Sequence, residues 1–157
     1  MIQMRPSRSH IAMLKLSKKA DYALIAVRHL ATHHAERSLS ASDIAEIYCI
    51  SAPLLAKVMQ RLARHGVVTA RHGASGGYQL ARHPSEISAL EVISAVDGPL
   101  MITSCVTSHG SCDQSLKCTV REPLRRVNQS IVDVLRHVTI SQMAEEAPEV
   151  ELVGLPS

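Results

Sequence analysis

A mainly helical chain with one small β-hairpin is the fold class predicted by these 157 residues. Three observations predict it. Apolar residues recur every three or four positions over several capped segments. Two β-prone runs flank the glycine-rich turn HGASGG. A late stretch repeats its apolar positions at spacings of 4, 3, 4, 3 and 4.

Residues 1–13 hold Arg5, Pro6, Ser7, Arg8 and Ser9 with no apolar period, and read as a flexible arm. The first helix is expected from Ser17, which can cap it, to about His33, with Ala20, Ala23, Leu24, Val27, Leu30 and Ala31 on one stripe. Lys18 and Lys19 stand in its first turn, where the helix dipole disfavours cations unless a phosphate lies close, so both are candidate DNA contacts. A second short helix is expected over 40–48. A third opens at Ser51 with Pro53 in its first turn, and runs through Leu55, Val58, Met59 and Leu62 to His65. Two short helices joined by a tight turn, the second basic on its outer face, are a helix-turn-helix, whose second helix enters the major groove. Ser51, Pro53, Leu54, Ala56, Lys57, Gln60 and Arg61 are then expected to face bases or phosphates. Cys49, in the turn, reads as a small core residue.

Beyond Gly66, the runs VVTAR and YQLAR around HGASGG predict a hairpin, the wing of a winged helix. Arg71, His72, Gly73, Ser75, Gly76 and Gly77 would bring its tip against the phosphate backbone. As a phosphate-binding P-loop the stretch fails, because no strand-to-helix context and no Gly-Lys-Ser/Thr follow it. Another helix is expected over 88–96, with the box Ser88-x-x-Glu91 at its start and Asp97-Gly98-Pro99 at its end. Past Cys118, the apolar positions Val120, Leu124, Val127, Ile131, Val134 and Val138 form a narrow seam, along which two chains are expected to pair. Packing against the chain's own lobe is the alternative, and Leu135 supports it by widening the stripe. The expected organisation is therefore a flexible arm over 1–13, a winged helix-turn-helix domain over 14–98, a cysteine loop over 99–118, a dimerisation helix with a final turn over 119–143, and a flexible tail over 144–157.

Composition narrows the partners. There is no Trp and no Phe, and only Tyr22, Tyr48 and Tyr78 supply aromatic rings, which disfavours single-stranded nucleic acid stacked on aromatic side chains. Residues 1–82 carry twelve Lys or Arg against four Asp or Glu, and residues 83–157 carry five against ten. A basic front half fits a polyanion, here duplex DNA. No apolar run approaches the roughly 18 residues of a membrane span, and the opening residues lack the apolar core of a signal peptide, so a cytoplasmic protein without a membrane partner is expected.

Cys105, Cys112 and Cys118 follow the spacing C-x6-C-x5-C in a polar segment. No helix or strand sets three thiols on one face at those intervals, so a loop wrapped around a soft metal centre is the first reading. A zinc-stabilised loop and a metal-free thiol switch stay open beside it. An enzyme is not expected, since no motif places a base beside a cysteine and no pocket for a small-molecule substrate can be argued.

LSKKADYAL, HGASGGYQLAR, EVISAVDGPL and the three-cysteine loop together resemble the IscR, NsrR and RirA group of winged-helix iron-sulfur transcription regulators, over roughly residues 13–143. The cysteine spacing followed by TVRE is most similar to the branch that regulates SUF-type cluster assembly. The resemblance implies a homodimer on double-stranded promoter DNA and an iron-sulfur cluster, 2Fe-2S or 4Fe-4S, held by Cys105, Cys112 and Cys118. It further implies cluster-dependent control of genes for cluster assembly or iron homeostasis, with a nitric oxide- or redox-responsive repressor of the same fold as the alternative. In IscR-like members a histidine three residues after the last cysteine completes the site; here Arg121 stands there and cannot ligate iron. NsrR-like members use an aspartate from the first helix of the other subunit, and Asp21 matches it. Asp21 in trans is thus the expected fourth ligand, with His109 and Glu122 as rivals.

Overall fold

The computed structural model describes residues 15–33, 38–103 and 117–145. The expected arm, Cys105, His109, Cys112 and the tail from residue 146 lie outside the described residues. Helix α1 (Lys18–Thr32) opens where the Ser17 hydroxyl accepts the Ala20 N–H, satisfying one of the amides a helix start leaves unpaired. Helix α2 (Ala41–Ile47) opens on a reciprocal box: Ser40 Oγ accepts the Asp43 N–H and the Asp43 carboxylate accepts the Ser40 N–H. Helix α3 (Ala52–Arg64) follows after a four-residue connection, with Pro53 in its first turn as the sequence suggests. All three bury their apolar stripes together. Ala23, Val27 and Leu30 meet Ile44, Leu55, Val58, Met59 and Leu62 in one core, each large side chain contributing roughly 1.5–3 kcal/mol.

One expectation is corrected in the turn before α3. Cys49 is exposed, not a core residue. The turn holds it in the left-handed region, at φ 53, while its N–H bonds Glu46 and the next N–H bonds Ala45.

The wing is present. Strands β1 (Val68–Arg71) and β2 (Gly77–Leu80) pair antiparallel with Val68 opposite Leu80 and Arg71 opposite Gly77. A third backbone joins them: Leu39 and Tyr78 exchange both main-chain hydrogen bonds, at 3.1 and 2.8 Å, so the segment entering α2 is sewn to β2. This close approach is why residue 77 is glycine. A Cβ there would lie 2.6 Å from the Leu39 carbonyl carbon and oxygen, at a φ of +148 that side chains rarely adopt.

A 3-10 turn (Pro84–Glu86) leads to α4 (Ala89–Asp97), where Ser88 Oγ accepts the Glu91 N–H. The Glu91 carboxylate pairs with Arg82 instead of closing the expected box. The long helix α5 (Arg121–His137) packs on α4, and α6 (Ile140–Glu145) turns back onto α1 and the 3-10 turn. Thr139 and Gln142 cap α6 reciprocally, and Ile140 is fully buried in the N-terminal lobe. The sequence reading gave this last turn no part in the core. No helix among the described residues is long and apolar enough to cross a membrane.

One buried polar contact joins α1 to the helix-turn-helix. His29 is almost fully buried, and its Nδ1 shares a 3.0 Å hydrogen bond with the Tyr48 hydroxyl at the end of α2. Burial, reinforced by neighbouring His33 and Arg28, holds the His29 imidazole below its ordinary pKa. A lowered histidine pKa means that the fold favours the neutral ring, so its contribution is complete above the ordinary value of about 6.5 and is lost as pH falls through the lowered one. The unfolding temperature should accordingly fall on going from pH 7.5 to pH 5. Calorimetry of His29→Gln should show a smaller drop; an equal drop would remove His29 as its source.

Candidate nucleic-acid interface and cysteine site

Helix α3 presents two different faces. Leu55, Val58, Met59 and Leu62 are buried, while Ser51, Pro53, Lys57, Gln60, Arg61 and Arg64 are exposed and Leu54 and Ala56 half-buried. The helix holds no acidic residue, so this face is uniformly positive. Ser51 makes no side-chain capping bond, which leaves its hydroxyl free to meet a ligand. From α1, Lys19 joins Leu54, Lys57, Gln60, Arg61 and Arg64 in lining a groove along the face, and Lys18 is exposed beside it in sequence. Arg64 belongs to the basic outer face read from the sequence but was not among the residues expected to face bases or phosphates. The signal was present, since it stands seven residues after Lys57 and so on the same side of a helix.

The wing tip divides into two groups. Arg71, His72, Gly73 and Ser75 are exposed, as a backbone-gripping tip requires. Gly76 and Gly77 are half-buried and are accounted for by the chain's own backbone: a Cβ on Gly76 would meet the Arg71 and Gly73 carbonyls at 2.8 Å. Arg61 also differs from its neighbours. Its Nη1 donates a 2.6 Å hydrogen bond to the Val96 carbonyl in the last turn of α4.

On the cysteine side, Cys118 is half-buried and stands just ahead of α5. The N-cap of that helix is Val120, which offers no side-chain acceptor, so the first amides of α5 have no side-chain cap. Such an end favours anionic ligands. Glu122 lies in this first turn, but Arg125 bonds both its oxygens, at 2.9 and 2.7 Å, and Arg126 stands 3.5 Å away. The Arg125 hydrogen bonds hold its carboxyl at about 2, so the group is ionised and already engaged, which weakens it as a rival ligand. Asp21 is exposed on the first turn of α1. Asn128 is the one buried residue of α5, and its Oδ1 accepts the Ile102 N–H at 2.9 Å, tying the stretch before the cysteine loop to the helix after it. Among the described residues no three His, Cys, Asp or Glu side chains gather as a metal site.

Residues 16–146 match the model of the Rrf2 family, described as an iron-dependent transcriptional regulator. The HTH-type transcriptional regulator IscR of Pectobacterium atrosepticum is 32% identical over 130 residues, spanning 83% of this chain and 79% of its own. Among solved structures, the IscR of T. potens superposes with a TM-score of 0.69 at 31% identity, covering 90% of this chain and 93% of that one. CymR, the global cysteine regulator of B. subtilis, superposes with a TM-score of 0.71 at 28% identity, covering 87% of this chain and 100% of that one.

Proposed function

Since the chain belongs to the Rrf2 family of iron-dependent transcriptional regulators, whose members here are DNA-binding regulators and not enzymes, we propose that it is an iron-sulfur-sensing regulator of promoters for cluster assembly or iron homeostasis. The observation that carries the DNA side is the acid-free face of α3, with Lys57 and Arg64 joined by Lys19 along one groove and flanked by an exposed wing tip. A helix at this position lies in the major groove, while the wing holds the backbone. Ser51, Pro53, Leu54, Ala56 and Gln60 are the residues for base edges. Lys18, Lys19, Lys57, Arg64, Arg71 and His72 are those for phosphates.

The cluster reading rests on the donor set. Three cysteines on one loop, the last beside the uncapped start of α5, suit a cluster, which when bound supplies an oxidisable anionic centre. Cys105, Cys112 and Cys118 would hold it, with Asp21 of the second subunit as fourth ligand. Arg121, exposed at the start of α5, adds positive charge to that end. Asn128 holds the loop's stem against α5, so tightening or freeing the loop acts on the helix that pairs the two chains. A change in that pairing would alter the separation of the two α3 helices, and with it affinity for a two-half-site operator. DNA recognition is assigned to the domain over 14–98 and sensing to the loop over 99–118.

Anaerobic purification followed by visible absorption and iron and sulfide counts tests the proposal. Wild type should carry both elements and colour. Asp21→Ala should keep the colour but bleach at least about tenfold faster in air, no less than the loss that removing a partner supporting a metal ligand brings. A colourless, iron-free wild type that binds its promoter equally before and after reconstitution would refute the sensor; unchanged bleaching in Asp21→Ala would free Asp21 of its role.

A further inference from the structure

The end of α4 is built in an unusual way. A helix C-terminus leaves carbonyls without partners and favours a cation, yet the last turn of α4 has no basic residue and closes on Asp97, whose charge opposes the dipole. The chain then leaves the helix at Gly98, φ +83, and meets Pro99, which has no N–H to offer. Two other helices supply what is missing. Arg61 of α3 donates to the Val96 carbonyl at 2.6 Å, bringing a cation to the negative end of α4. The Ser17 hydroxyl donates to Asp97 Oδ1 at 2.7 Å while its oxygen accepts the Ala20 N–H as the N-cap of α1. Three helices thus meet at one turn, which lies eight residues before Cys105.

We infer that this turn is the joint through which the cysteine loop acts on α3, and that Arg61 is a positioning residue at the joint, not a phosphate contact. The inference rests on the regulator reading above and adds the path of regulation. Its second part departs from what the sequence suggests for Arg61. Lys57 and Gln60 point from the same exposed face with no such bond, whereas Arg61, which lines the same groove, has its Nη1 held in a short, charge-assisted contact to another helix. A displacement of the chain at Gly98 and Pro99 would be felt by α3 through this guanidinium, and by the start of α1, where Lys18 and Lys19 stand, through Ser17.

The test compares Arg61→Gln, Arg61→Lys and Lys57→Gln in the full-length chain. For operator binding by the cluster-free protein, Lys57→Gln should lower the slope of log affinity against log salt by about 0.9, the loss of one phosphate contact, while Arg61→Gln leaves the slope unchanged. Arg61→Gln should also shrink the affinity ratio between cluster-loaded and cluster-free protein by about tenfold, within the usual range of coupling between sites, and Arg61→Lys should restore most of it. Without DNA, hydrogen exchange at the Gly98 amide, which bonds the Ser94 carbonyl, should speed up about tenfold in Arg61→Gln. A slope lowered by Arg61→Gln as much as by Lys57→Gln would overturn the inference, as would an unchanged Gly98 exchange rate. A chain that binds no operator, yet whose Gly98 amide is released by Arg61→Gln, would refute the regulator reading and leave the joint standing.

Discussion

In the proposed dimer, glutamate at both Val127 and Val134 should leave a folded chain that sediments as a monomer and binds a two-half-site operator at least about a hundredfold more weakly, because the second half-site would no longer add its contacts. The argument starts from exposure. Val120, Val127 and Val134 are 54, 49 and 62% exposed, spaced seven apart along α5, while Leu124, Ile131 and Leu135 are half-buried. The helix therefore carries two apolar sides, one turned to α4 and one left uncovered in the single chain. Covering each valine contributes roughly 1.5 kcal/mol, and a pair of chains covers each position twice. Carboxylates in that seam would be buried without partners, which costs more than the valines contribute. Circular dichroism of the double variant should match wild type, since neither valine is needed by the chain's own core. An unchanged dimer in sedimentation would show that the seam lies elsewhere.

Gly77→Ala should be the most damaging added methyl among the described glycines. The added carbon would enter the Leu39 main chain at 2.6 Å, and neither backbone can yield without breaking the two bonds between Leu39 and Tyr78. Together with the unfavourable φ, this should cost about 3 kcal/mol of stability in urea unfolding. Gly73→Ala is the matched comparison. Its φ of +104 is also unfavourable, but nothing lies within 4 Å of the new carbon, so only strain of about 1 kcal/mol is expected. Equal losses in the two variants would mean that conformation alone, and not the approach of Leu39, fixes residue 77.

The helices and the hairpin were legible because their signals are local. Ser17, Ser40 and Ser88 cap within three residues, and the apolar stripes of α1 and α3 need only their own period. What was not legible depends on residues distant in sequence. Nothing near Gly77 announces Leu39, nothing near Arg61 announces Val96, and a buried Asn128 is explained only by Ile102. The Ser88-x-x-Glu91 box illustrates the same limit: its first half formed as a local rule demands, and its second half was taken by Arg82. Ile140 was passed over because the segment around it is short, and its burial comes from α1 and the 3-10 turn lying above it. For the candidate site, residue type and spacing marked the cysteines and the basic helix face, but whether an arginine on that face serves DNA or a neighbouring helix is decided by tertiary contact.

The main-chain pairing of Leu39 with Tyr78 bears on what kind of promoter this protein can share among its genes. That pairing ties the wing to the segment entering α2, so in the proposed dimer each DNA-binding lobe would act as one foot, and a pair of feet could change only stance and relative turn. Target promoters should then agree closely within each half-site and differ freely between them. One inserted base pair at the centre, which rotates a half-site by about 35°, should be tolerated far less than any central substitution.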